Sequence, residues 1–322
     1  MVDRRKMIQA MAAGTLLPFS GGVTRALAQA AQQAAQPTSA PAEPTLGAIR
    51  ALTHTAASLP EVEKAWTQFM GYKLIARGKL AAQTAKSWNA PALAGKPYVI
   101  VGPASGEPTY IRFVEQPAPK EEAGEAYGWR TIEITVQNSE ELYAKLKDSP
   151  FVVRGPPNLV PTYPYLKALG ARGPAGERLA LTWIMEKRPD LAVAQSFVGR
   201  CFIATQMSPD LPASLAWYKS TFGNGASPIR QLPSMQLSVV TLKDGAKIEI
   251  DQHGPNGKER EPAIPGGLPP GLAVVSFECT SFEKHAEGFL TKAAKSQLEP
   301  FPDRRVATLK GPAGELIELI ES

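Results

Sequence analysis

Histidine and cysteine are scarce in this chain: three of the first and two of the second in 322 residues. Two cysteines, Cys201 and Cys279, exclude a disulfide scaffold. Strand alternation sets them on opposite faces, so separate packed thiols are expected. Three histidines, His54, His253 and His285, leave little material for the imidazole-rich sites that hold zinc or iron. An excess of one charge is also missing. Lys and Arg number 35 against 30 for Asp and Glu, and without Arg4, Arg5, Lys6, Arg25 and Asp3 the balance falls to about +2. No basic patch suggests nucleic acid as a partner. The apolar run from Met11 to Phe19, interrupted by Gly14, is too short to cross a bilayer.

What is present begins with an export layout. Asp3-Arg4-Arg5-Lys6 precedes that apolar run, and Ala26-Leu27-Ala28 supplies a small-residue cleavage site. The arginine pair and the modest hydrophobicity point to a twin-arginine leader over 1–28 and a periplasmic destination. Residues 29–46, rich in Gln, Ala, Pro, Ser and Thr, read as a flexible linker.

The rest of the chain repeats itself. It ends on Gly311-Pro312-Ala313-Gly314-Glu315-Leu316-Ile317-Glu318-Leu319-Ile320, a turn running into a strand. Gly173-Pro174-Ala175-Gly176-Glu177 opens a second copy, with Ala180 where the last copy has Glu318. Further copies end on Lys247-Ile248-Glu249-Ile250-Asp251 and, more loosely, Tyr110-Ile111-Arg112-Phe113-Val114. Each copy follows an opening strand and a helical pattern: Ile49–Thr55, Thr131–Val136, Phe202–Met207 and Leu272–Cys279 open the four units. The helix of the fourth is expected around His285–Ala293. Unit one matches unit three through Leu59-Pro60 to Gly71 and Leu211-Pro212 to Gly223; unit two matches unit four through Gly-Pro-Ala-Gly-Glu. An α+β chain of four βαβββ modules, ordered A-B-A′-B′, follows. Two such modules close on each other around a cavity, which divides the chain into domains at 47–190 and 191–322.

With these openings and closings, everything after the linker resembles the vicinal oxygen chelate superfamily, the glyoxalase and extradiol-dioxygenase group. The resemblance implies metal ligands on the opening strands, usually His, and Glu on the closing strands. The matching opening positions here are Ala51, Thr131, Ile203 and Val274, and the closing ones are Arg112, Ala180, Glu249 and Glu318. The family's histidines are missing, so no cofactor is expected, a divalent metal being the alternative. Glu249 and Glu318 are expected to face each other as general base and general acid, with Asp251 and His253 on the Glu249 face. Thr205, Ser276, Asp251 and Arg112 are the expected substrate contacts; Cys201 alternates onto the same face as Thr205. His54 is expected to pack beneath a helix and His285 to lie in solvent.

Three functions fit this reading. The first is an exported, metal-independent isomerase or lyase acting on a small apolar carbonyl or aromatic compound. The second is a non-catalytic binding protein for such a compound, and the third a metal enzyme using Glu249, Glu318 and His253. The expected partner is a small molecule, with no nucleic acid and no membrane after leader cleavage, and the chain is expected to be a monomer or homodimer.

Overall fold

Each module starts with a β-branched, apolar strand and turns into a helix at a residue that can cap it. In the first, β1 (Leu46–Ala56) leads to α1 (Leu59–Gln68), with Pro60 in the first turn and Val62, Ala65 and Trp66 buried along one stripe. The module continues with β2 (Lys73–Lys79), α2 (Ala82–Ser87), β3 (Pro97–Gly102) and β4 (Tyr110–Glu115). The second has β5 (Gly128–Val136) and α3 (Ser139–Leu146), capped by the Asn138 side chain accepting from the N–H groups of Glu140 and Glu141. The short β6 (Val152–Val153) and β7 (Asn158–Val160) precede β8 (Tyr163–Arg172) and β9 (Arg178–Ile184). The third has β10 (Val198–Met207) and α4 (Leu211–Phe222), capped by Asp210 and ended by Gly223 at φ +72°. Its sheet strands are β11 (Arg230–Gln231), β12 (Gln236–Thr241) and β13 (Lys247–Gln252). The fourth has β14 (Leu272–Cys279), β15 (Ala294–Lys295), β16 (Arg305–Lys310) and β17 (Leu316–Glu321).

These elements come from a computed structural model that describes residues 43–118, 126–161, 163–254 and 257–322. The leader at 1–28 and most of the linker at 29–46 lie outside the described residues. The expected fourth helix is a 3-10 turn, Phe282–Gly288. Ser281, which precedes it, sits at φ +56° and makes no capping bond, and Gly288 closes the segment after two turns.

The register confirms the four repeats. Parallel pairing aligns Thr53 with Arg112, Glu133 with Ala180, Thr205 with Glu249, and Ser276 with Glu318. Two sheets of two modules result, but their partners differ from the contiguous pairs expected at 47–190 and 191–322. The first sheet runs β15-β16-β17-β14-β1-β4-β3-β2 and joins modules one and four. The second runs β11-β12-β13-β10-β5-β9-β8-β6 and joins modules two and three, with β7 paired to β8. In each module the opening strand pairs with only one strand of its own module and takes the opening strand of another on its second edge, so the repeat specifies the module and leaves its edge partner open.

Contiguous modules meet instead through helix and turn. Trp66 Nε1 on α1 donates to Glu177 Oε1 in the module-two turn at 2.8 Å. Tyr218 on α4 donates to Glu315 Oε1 in the module-four turn at 3.2 Å. Both glutamates are buried, and each also accepts from its own turn, through the N–H of Ala175 or Ala313, at 2.8 Å. The repeated Gly-Pro-Ala-Gly-Glu phrase is thereby explained. A Cβ at Gly173 or Gly311 would overlap that carboxylate, and Gly176 and Gly314 take φ +83° and +81°. One apolar core, with Leu52, Trp66, Phe113, Ile134, Tyr218 and Phe277 among its members, lies against both sheets and all three long helices.

Candidate functional site

Each sheet has a far face, turned away from the shared core, and the aligned pairs above lie on these two faces. On the first sheet the far face is filled. The chain between β2 and β3 folds back over it, and Leu80, Trp88, Leu93, Leu298, Val274 and Leu316 make a second apolar cluster there. Glu318 is buried beneath that cluster. Its Oε1 accepts from Trp88 Nε1 at 2.7 Å and its Oε2 from Ser276 Oγ at 2.6 Å. Arg112, 1% exposed, stands 3.8 Å from Glu318 Oε2 and stacks 5.1 Å from the Trp88 ring. Burial pulls the Arg112 guanidinium below its usual pKa, and the Glu318 charge opposes that shift. Ser276 and Arg112, expected as substrate contacts, are thus internal partners of Glu318.

On the second sheet the far face keeps polar groups, with Glu133 and Glu249 half-buried and Thr205 and Asp251 buried. Cross-strand pairing lays out three rows. The middle row runs Arg172, Arg178, Thr131, Thr205, Glu249, Val239 across β8, β9, β5, β10, β13 and β12. A neighbouring row holds Ala180, Glu133, Ile203 and Lys247; the row on the other side holds Met207, Asp251, Leu237 and Arg230. Ile203, Leu237 and Val239 belong to neither apolar cluster.

Three carboxyl groups share this face, and burial raises the pKa of each. Glu133 is pushed well above its ordinary value by burial, then by the charges of Glu249 and Asp251, against Lys247. Burial raises Glu249, with Arg230 opposing. Asp251 rises to about 8 through burial and Glu249, against Arg130. Asp251 Oδ1 is buried with no hydrogen-bond partner among the described residues. The Thr205 hydroxyl accepts the Thr131 N–H at 3.1 Å, which leaves its own proton to give. His253 continues past β13 and places Nε2 3.1 Å from Arg130 Nη1.

The expected facing of Glu249 and Glu318 therefore does not occur: they lie on different sheets. The set Glu249, Glu318 and His253 is separated for the same reason. Asp251 and Thr205 do sit beside Glu249 as expected. A register shift between Cys201 and Ile203 turns Cys201 into the shared core rather than onto the Thr205 face. Cys279 is in that core too, and both thiols are free. His54 is fully buried, as expected, and burial, then Arg260, lowers it to about 3. His285, expected in solvent, is 6% exposed, 3.0 Å from Thr45 Oγ1.

Glu133 was not among the expected site residues, although its position, two residues beyond Thr131 on the same strand face, is visible in the sequence. The arginines of the middle row were not among them either. Arg178 follows a repeated turn, at the place where the last copy has Leu316.

The residues at the family's metal positions do not make a ligand set. On the first sheet a guanidinium stands beside the single carboxylate, whose two oxygens already accept hydrogen bonds. On the second, Thr131, Ile203 and Ala180 accompany Glu249. Among the described residues no group of three or more His, Cys, Asp or Glu converges as a metal site.

No protein-family model matches the sequence, and no curated protein is similar to it. The fold has clear counterparts among solved structures. A glutamate-to-glutamine variant of glyoxalase I from Zea mays aligns with TM-score 0.60 and 13% identity over 85% of this chain and 93% of that one. Glyoxalase I from the same plant aligns with TM-score 0.58 and 14% identity over 85% and 92%. A proposed dioxygenase of Bacillus subtilis aligns with TM-score 0.57 and 13% identity over 87% and 86%. The chain has the glyoxalase and dioxygenase-like fold of the vicinal oxygen chelate type.

Proposed function

We propose that this protein is an exported, metal-independent acid–base enzyme whose site is the far face of the second sheet. The observation that carries the reading is the cluster of Glu249, Asp251 and Glu133 on one half-buried face, each carboxyl with a raised pKa. Mutual repulsion and desolvation leave such acids with different proton occupancies near neutrality. Asp251, at about 8, holds its proton there and can act as general acid. Glu249, two residues away on the same strand face and countered by Arg230, is the base. Thr205 offers a hydroxyl to an oxygen that gains charge. Together these groups take a proton from a carbon beside a carbonyl and return one elsewhere, which is isomerisation or elimination.

Glu318 has no part in this chemistry, because its oxygens are used by Trp88 and Ser276 in a sealed cluster. Export is supported by Arg4-Arg5 and the Ala26-Leu27-Ala28 site, and replacing both arginines by lysine should hold the chain in the cytoplasm.

The test is turnover of a panel of small carbonyl compounds at several pH values. Rate should fall as pH rises through about 8, where Asp251 loses its proton, and Glu249→Gln should lower it by roughly 10²–10⁴-fold. Binding of a panel compound with no turnover, unchanged in Glu249→Gln, would favour a sequestering protein instead.

A further inference from the structure

Arg230 and Tyr163 meet although they stand near opposite ends of the second sheet. Arg230 Nη1 donates to the Tyr163 hydroxyl at 2.6 Å, and the guanidinium carbon lies 5.3 Å from the centre of that ring. Arg230 is on β11 and Tyr163 on β8, with β12, β13, β10, β5 and β9 between them. Laid flat, six strand spacings would hold these two strands roughly 29 Å apart. The sheet therefore bends around its far face until the two side chains touch, and Glu249 lies on the enclosed side. The register gives the placement. Arg230 pairs with Leu237 and Leu237 with Asp251, while Glu249 is on the next row, opposite Val239.

We propose that Tyr163 is a positioning residue for the acid–base chemistry, its hydroxyl clasping Arg230 across the far face and keeping the guanidinium beside Glu249. β11 is two residues long and lies at the sheet edge. An arginine there has wide rotamer freedom, and a partner on the opposite wall removes it. The charged groups around Glu249 show why this one counts. Asp251 and Lys247 share its strand and His253 follows it; Glu133 and Arg130 come from β5, and Arg230 from β11. Arg178 and Arg172 stand three and four strand spacings along its row. Lys247 Nζ is turned to the carbonyls of Asp190 and Gly245, at 3.2 and 3.1 Å. Arg130 acts on Asp251, and Arg230 is the cation that opposes the rise of Glu249. The consequence for turnover rests on the acid–base reading; the clasp itself does not.

The test is a ¹³C NMR titration of the Glu249 carboxyl in the full chain, its signal identified by its loss in Glu249→Gln, beside the pH profile of turnover on the carbonyl panel. Tyr163→Phe keeps the ring and removes the hydroxyl. The Glu249 midpoint should then move to higher pH, because a freed guanidinium favours the carboxylate less. Arg230→Gln should move it the same way and further, and adding Tyr163→Phe to Arg230→Gln should change nothing more. Tyr165→Phe, which removes a hydroxyl from the same strand, should leave the midpoint in place. Where a panel compound is turned over, Tyr163→Phe should lower kcat/KM on the acid side by about three- to tenfold, the worth of one hydrogen bond. That deficit should shrink as pH rises toward about 8, where Asp251 releases its proton. An unmoved midpoint in Tyr163→Phe, or shifts that simply add in the double variant, overturns the inference. A moved midpoint without turnover of any panel compound would sink the acid–base reading and leave the clasp standing.

Discussion

The two sheets of this protein share a register and differ in what was laid on their far faces. On the first, the segment from Leu80 to Leu93 covers the aligned positions and turns an acid into a core group bonded to an indole and a hydroxyl. On the second, the same positions keep half-buried carboxyls that burial holds above their ordinary pKa values. A glutamate at one repeat position is therefore a buried core partner in one sheet, and at the matching position of the other it is the group proposed above as the base. The lesson is that a repeat position inherits its location from the fold and its role from whatever packs over it.

Uncovering the first face should have the largest effect on stability. Trp88→Ala removes a fully buried ring and the donor to Glu318 Oε1, and should cost about 3–5 kcal/mol in denaturant unfolding. A cost below about 1 kcal/mol would mean the cover is loose and the comparison overdrawn.

The buried pair offers a sharper version. Arg112→Met leaves Glu318 without its cation and should cost roughly 3–5 kcal/mol, whereas Arg112→Met with Glu318→Gln should recover part of that loss. A strictly additive double variant would show that the 3.8 Å approach carries no coupling.

On the second face the expected sign is opposite. Asp251 binds a proton in the fold up to about pH 8 that the unfolded chain releases near pH 4, so its share of stability falls as pH rises through that window. Asp251→Asn removes the charge, and its Tm advantage over wild type should be small at pH 4 and grow to pH 8. At the upper end it should reach on the order of a few kcal/mol. A variant less stable than wild type at pH 8 would contradict the raised pKa.

Much of the architecture was legible because βαβββ modules announce themselves. Residues of capping type and alternating closing strands occur four times, and the spacing from each aligned opening residue to its cap position is constant. The partners of the modules were not legible, since nothing in β1 distinguishes the edge of β14 from that of β5. The site was half legible for a related reason. Glu249, Asp251 and Thr205 are placed by local alternation, and alternation survives folding. Glu318 obeyed the same alternation, but its fate was decided by Trp88, 230 residues earlier in the chain.

The most direct test of the contrast is deuterium incorporation in D₂O, beside the carbonyl of small carbonyl compounds, catalysed by wild type and two single variants. Wild type should exchange the proton, Glu249→Gln should lose the exchange, and Glu318→Gln should retain it at a lowered Tm. Exchange abolished by Glu318→Gln in a folded protein, or undiminished in Glu249→Gln, would contradict the assignment. So would a wild type that never exceeds the solvent rate.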